Sequence, residues 1–174
     1  MRNLIKSGLL AVFFSVSIAA PVIAGPFENG EVAFTRGDYA TALSLFRPLA
    51  DQGNAEAQVL LGDIYATGSA PEIRGIGQAV PKNYAEAVKW YRKAARQGNP
   101  FAEFDLGVMY RDGQGVPQDY VHAHMFFNLA AAAGNVVEAV KDRDLVAKLM
   151  TPQQIAEAQK LACDCQARKL IACD

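Results

Sequence analysis

The chain is poor in the residues that usually carry chemistry. Its 174 residues include two histidines, three cysteines and one tryptophan. No HExxH, GxSxG, SxxK, CxxC or P-loop pattern occurs, so no nucleophile is identified with its base and no metal or nucleotide motif is present. The formal net charge is −1 and no basic stretch stands out, which excludes the footprint of a nucleic-acid binder. No cofactor is implied. Strongly alternating stretches are also missing, so no strand is predicted. Long apolar runs are absent except one, from Leu9 to Ala20, interrupted by Ser15 and Ser17. It is short for a membrane span of about 20 residues. Arg2 and Lys6 precede it, and Pro21 and the small-residue exit Val22-Ile23-Ala24 follow it. That is the layout of a signal peptide cleaved after Ala24, and it predicts a periplasmic or secreted protein with no membrane span once cleaved. Removing residues 1–24 leaves fifteen basic against eighteen acidic side chains.

What is present is repetition. "VPKNYAEAVKWYRKAARQGN" from Val80 to Asn99 returns as "VPQDYVHAHMFFNLAAAAGN" from Val116 to Asn135, and "GDYATALSLFRPLADQGN" from Gly37 to Asn54 keeps the same frame. After two of the Gly-Asn pairs the chain reads Ala-x3-Leu-Gly-x2-Tyr-x2-Gly: Ala57, Leu61, Gly62, Tyr65 and Gly68, then Ala102, Leu106, Gly107, Tyr110 and Gly113. Four-residue spacing puts Ala57, Leu61 and Tyr65 on one helical stripe. Tyr84, Ala87, Tyr91, Ala94 and Ala95 make the stripe of the following helix. Gly62 and Gly107 are poor helix formers, and their recurrence predicts that a neighbour comes close there.

Helices are predicted over 27–36, 38–52, 55–67, 82–97, 100–111, 118–133, 136–150 and 152–168. Gly53, Gly98 and Gly134 stop helices. Asn99 caps a helix with Pro100 at its first position. Asp119 is a further cap. Asn83 with Glu86, and Thr151 with Gln154, read as capping boxes. Helix pairs that cannot bury their apolar faces alone stack into an all-α solenoid. The units run over about 27–54, 55–99 and 100–135, with a degenerate cap over 136–168 and a tail over 169–174.

These motifs resemble the Sel-one-like repeat (SLR), a relative of the tetratricopeptide repeat. The resemblance covers roughly 27–162 and rests on Ala57-x3-Leu61-Gly62-x2-Tyr65-x2-Gly68 and Tyr84-x2-Ala87-x2-Trp90-Tyr91-x2-Ala94-Ala95-x2-Gly98. The next copy departs from it with Phe126 in place of Trp90, and nine extra residues lie between Gly68 and Pro81. The resemblance implies a right-handed superhelix and an exported, non-catalytic scaffold or regulator. Some disulfide-rich members have been linked to β-lactam binding or hydrolysis. An envelope hydrolase and a peptidoglycan binder therefore stand as alternatives.

Candidate site residues come from the first helix of each pair, which lines the concave surface in tetratricopeptide-like stacks. Val59, Asp63 and Ala66, with their counterparts Phe104, Val108 and Arg111, face away from the consensus stripe and offer an apolar pair with a flanking charge to a protein or peptide partner. The plainer reading is that Phe104 and Val108 pack on the next helix. Gly75-Ile76-Gly77 lacks a third glycine and a preceding strand, so it reads as a surface loop. His122 and His124, two residues apart, diverge by about 200° on a helix and do not share a metal. Glu138, Asp142 and Asp144 read as a solvated face.

Cys163, Cys165 and Cys173 crowd into the last twelve residues. In an unbroken helix Cys165 and Cys173 would stand about 12 Å apart, too far for a bond. A Cys165–Cys173 bridge therefore predicts that the last helix ends near Ala167. It leaves Cys163 free or available for a disulfide dimer. Cys163–Cys173 and a three-thiolate metal site are the alternatives.

Overall fold

In a computed structural model, residues 25–68 and 80–168 are described. They form eight α-helices. These are α1 (Pro26–Thr35), α2 (Tyr39–Asp51), α3 (Ala55–Thr67), α4 (Tyr84–Ala95), α5 (Pro100–Asp112), α6 (Tyr120–Ala132), α7 (Val137–Ala147) and α8 (Pro152–Ala167). No strand occurs among the described residues. Consecutive helices pack as pairs, α1 on α2, α3 on α4 and α5 on α6, and each pair packs on the next through α2–α3 and α4–α5. The architecture is an α-solenoid.

The ends of the helices follow from their side chains. Asn54 and Asn99 accept hydrogen bonds from Ala57 N and Ala102 N at 2.8 and 3.1 Å. Thr151 and Gln154 form the reciprocal capping box. The second expected box is only half made. Asn83 accepts from Glu86 N, but the Glu86 carboxylate turns to Lys89 Nζ at 2.9 Å. A lysine three residues on, on the same face, competes with the backbone N–H for that carboxylate. Gly53, Gly98 and Gly134 hold φ at +98°, +76° and +77°, where a side chain would be strained.

The recurrent helical glycines seat aromatic rings. A Cβ at Gly62 would lie 2.3 Å from the Tyr91 ring, and one at Gly107 would lie 2.6 Å from Phe127. Gly30 does the same for Phe46 in the first pair, at 2.5 Å. Phe46, Tyr91 and Phe127 occupy one position of the repeat, seven residues before Gly53, Gly98 and Gly134. The close approach read from Gly62 and Gly107 is therefore a ring-into-notch contact, and Phe46 and Phe127 are wholly buried.

The longer second unit leaves the stack undisturbed. Asn83 N donates to Tyr65 O at 2.8 Å, and its counterpart Asp119 N donates to Tyr110 O at 2.9 Å. The same bond closes a long connection and a short one, so both chains re-enter the stack at the same point of the repeat. The Gly75-Ile76-Gly77 segment lies outside the described residues.

The C-terminal end departs from the pattern. Both α7 and α8 pack on α6, and α8 does not pair with α7 as the earlier second helices pair with their first. Ala158, Ala162 and Cys165 make the buried side of α8, with Cys165 continuing the stripe. α8 ends at Ala167.

Candidate functional site

The five residues proposed from the sequence are spread along α3 and α5. Val59, Phe104 and Val108 are half-buried and lean on the core between α3 and α6. The Phe104 ring lies 5.5 Å from that of Phe127, tilted by 48°, and also packs on the small cluster of Ala130, Val136 and Ala139. Phe104 thus has a packing role on the next helices and keeps part of its surface.

Asp63 takes a hydrogen bond from the Tyr91 hydroxyl at 2.7 Å. Its carboxyl sits above the usual range because burial outweighs that hydrogen bond. A second carboxyl, Asp105 on α5, carries no signal in the repeat pattern. Burial first, and then the charge of Asp63, push Asp105 up to about 7. Two carboxyl groups from adjacent first helices therefore interact across the Tyr91 hydroxyl, whose own proton burial and both carboxylates hold in place.

Arg111 is engaged. It forms a two-pronged ion pair with Asp112 at 2.7 and 3.0 Å, and Nη1 reaches Asp142 on α7 at 2.8 Å. Asp142 is therefore a tie between α5 and α7, which corrects its assignment to a solvated face; Glu138 and Asp144 are exposed.

The two histidines enter different surroundings. His122 Nδ1 lies 2.7 Å from Asp119 Oδ2, and its ring stacks on Tyr110. His124 is 3% exposed, with Nδ1 buried and unpartnered among the described residues. Among those residues no group of three or more His, Cys, Asp or Glu is placed to hold a metal. Cys163 is exposed and free. Cys173 lies outside the described residues, as do residues 1–24.

Two buried polar side chains were missed. Gln58 and Glu103 stand four residues after the capping Asn54 and Asn99, and both are 4% exposed. The Gln58 amide is used at both ends: Nε2 donates to Ala50 O at 2.9 Å, and Oε1 accepts from Gln97 Nε2 at 2.8 Å. The signal in the aligned copies was a paired change. Where the second unit has Gln58 and Gln97, the third has Glu103 and Ala133.

The Sel1 repeat family model matches residues 27–54, 55–99 and 100–135. Among curated proteins, the chain is 32% identical over 87 residues to the HRD3 component of an ERAD-associated E3 ubiquitin-protein ligase from Candida glabrata, covering 50% of this chain and 9% of that protein. It is 39% identical over 85 residues to chitin synthase regulatory factor 3 of Schizosaccharomyces pombe, covering 49% and 8%. The chain thus spans a small part of the curated relatives it matches. Among solved structures, a protective antigen of uropathogenic Escherichia coli with an SLR fold superposes with a TM-score of 0.67 at 29% identity, over 79% of this chain and 28% of that one. A Sel1 repeat protein from Oxalobacter formigenes gives 0.55 at 32% identity, over 67% and 42%. The Gly-Asn caps, the ring-into-notch pairs and the stacking of three successive helix pairs fall on the matched segments, and the chain belongs to the Sel1 repeat family.

Proposed function

We propose that this protein is an exported, non-catalytic scaffold or regulator that holds a protein partner on the concave face formed by α3 and α5. The observation that carries the reading is the run of half-buried side chains Val59, Asp63, Phe104, Val108 and Arg111 on the first helices of two adjacent units. An apolar strip flanked by carboxyl groups and a guanidinium suits a peptide segment. Stacked helix pairs present such a face over several units. A ligase component and a synthase regulatory factor among the relatives support an interaction role. The N-terminal layout supports export with cleavage after Ala24. Oxidation after export fits a Cys165–Cys173 bridge, and the free, exposed thiol of Cys163 is consistent with that pairing. Cys163 is then available for a disulfide dimer.

Because Phe104 also anchors a cluster, the test substitutes Val59→Lys and Val108→Lys. Crosslinking in the native envelope should capture a defined partner with the parent protein and lose it with either variant, while Tm and the helical circular dichroism spectrum hold. Undiminished capture by both folded variants would exclude the α3–α5 face. Turnover of nitrocefin by the purified mature protein, abolished by one side-chain change, would replace the scaffold reading with the hydrolase.

A further inference from the structure

At the turn end of the third unit lies a cavity of about 430 Å³ whose lining includes Arg96, Gln97, Glu103, Ala132, Ala133 and Gln166. Its origin is the paired change between copies. In the second unit the Gln97 amide fills the equivalent space and satisfies Gln58. In the third, Ala133 leaves that space open, and the amide facing it is replaced by the Glu103 carboxyl. Glu103 is 4% exposed, and no side chain among the described residues pairs with its carboxyl. Burial alone raises its pKa to about 7.

The surroundings are rich in acceptors. The carbonyls of Gln97 and Gly98 have no helical donor, because the N–H groups of Phe101 and Ala102 go to the Asn99 side chain at 3.0 and 3.1 Å. α6 ends at Ala132 beside them. Two helix C-termini, each with negative partial charge, thus meet at a buried carboxyl. A group that fits must donate several hydrogen bonds and carry positive charge. Arg96 is exposed at the rim, and Glu103 is the buried member, so the cation's place is inside.

We propose that this cavity is a binding site for a primary ammonium group, seated on the Glu103 carboxylate and the carbonyl ends of α4 and α6. The group is a small amine or the side chain of a lysine on another protein. The site lies at the turn edge and is separate from the α3–α5 face.

The test is a ¹³C NMR titration of the Glu103 carboxyl in the mature protein, with n-butylammonium and with N-acetyl-lysine amide as probes. Tetramethylammonium, which carries charge but no N–H, and n-butanol are the controls. The expected result is a saturable change in the Glu103 signal with at least one of the two amines and a titration midpoint moved to lower pH. Response to butylammonium indicates a small-amine site, and response to N-acetyl-lysine amide alone indicates a protein lysine. Glu103→Gln, which copies the side chain already accommodated at Gln58, should weaken binding by about ten- to a hundred-fold, the size of a charge-assisted hydrogen bond. Ala133→Gln, which restores the side chain that fills the second unit, should block binding with Glu103 intact. An unchanged signal with both amines, an equal response to tetramethylammonium, or full binding by Glu103→Gln would overturn the proposal.

Discussion

Replacing Glu103 by Gln should stabilise the protein at alkaline pH and lose that advantage in acid. The folded carboxyl titrates at about 7 against an ordinary 4.5, because burial disfavours its charge. A group whose folded pKa is raised contributes stability that is full below the unfolded value and is lost as pH rises through the folded one. Each tenfold difference in proton affinity between the folded and unfolded chain is worth about 1.4 kcal/mol, so ionising Glu103 in place costs about 3 kcal/mol by pH 8. Some of that loss has already accrued at pH 5, which leaves about 2.5 kcal/mol between pH 5 and pH 8. Gln has no charge to bury, and in the preceding unit its amide reaches the carbonyl of Ala50. The assay is urea unfolding of parent and variant at both pH values. Taking the difference between the two proteins removes the contributions of Asp63 and Asp105, which are also raised. A stability gap in favour of Gln that fails to widen from pH 5 to pH 8 would refute the claim that Glu103 is ionised against its surroundings.

Three further outcomes follow from the same contacts. Gly107→Ala should lower the unfolding midpoint despite a gain of about 1 kcal/mol in helix propensity, because the new Cβ meets the wholly buried Phe127 ring and overpacking costs about 1–3 kcal/mol; an unchanged or raised midpoint would show that the ring yields. Burial, and next the charge of Arg143, hold the His124 imidazole below its ordinary pKa, with Asp144 opposing them. Stability from this group is therefore present above about 6.5 and lost as pH falls below it. His124→Val, which copies Val88, should remove that acid loss in urea titrations at pH 7 and pH 5. Alkylation of the exported protein without reductant should label Cys163 alone, and reduction should cost about 2–3 kcal/mol if a nine-residue loop is closed; three labelled thiols would rule out the bridge.

The helix boundaries were legible because the capping residues are chemically specific. Asn99, Asp119 and Thr151 act where the sequence placed them, and the predicted end of the last helix near Ala167 matches α8. The Asn83–Glu86 box fails because Lys89, on the same helical face, outbids the backbone for the carboxylate. Gly30 escaped notice because the first copy has lost the leucine and tyrosine that frame Gly62 and Gly107, although Phe46 kept the ring position. A helical stripe states which side of a helix is buried and not what buries it. The placement of α8 on α6 was therefore beyond the sequence, as was the tie from Arg111 to Asp142. Val59, Phe104 and Val108 were singled out by periodicity, as positions off the consensus stripe. Asp105 and Glu103 were not, since a single carboxylate gives no periodic signal; for Glu103 the loss of its amide partner at Ala133 was the readable trace.

The way α8 lies across α6 bears on how the molecule comes apart. A linear array frays from whichever terminus has the weaker neighbour. At the front, α1 packs chiefly on α2. At the rear, α7 and α8 are both fastened to α6, so two helices share one anchor and the last is reached without passing through the one before it. Hydrogen exchange should then run as a one-way gradient. Amides of α1 exchange first, and those of α6 persist until the whole stack opens, so that the molecule peels from its beginning toward a latched end.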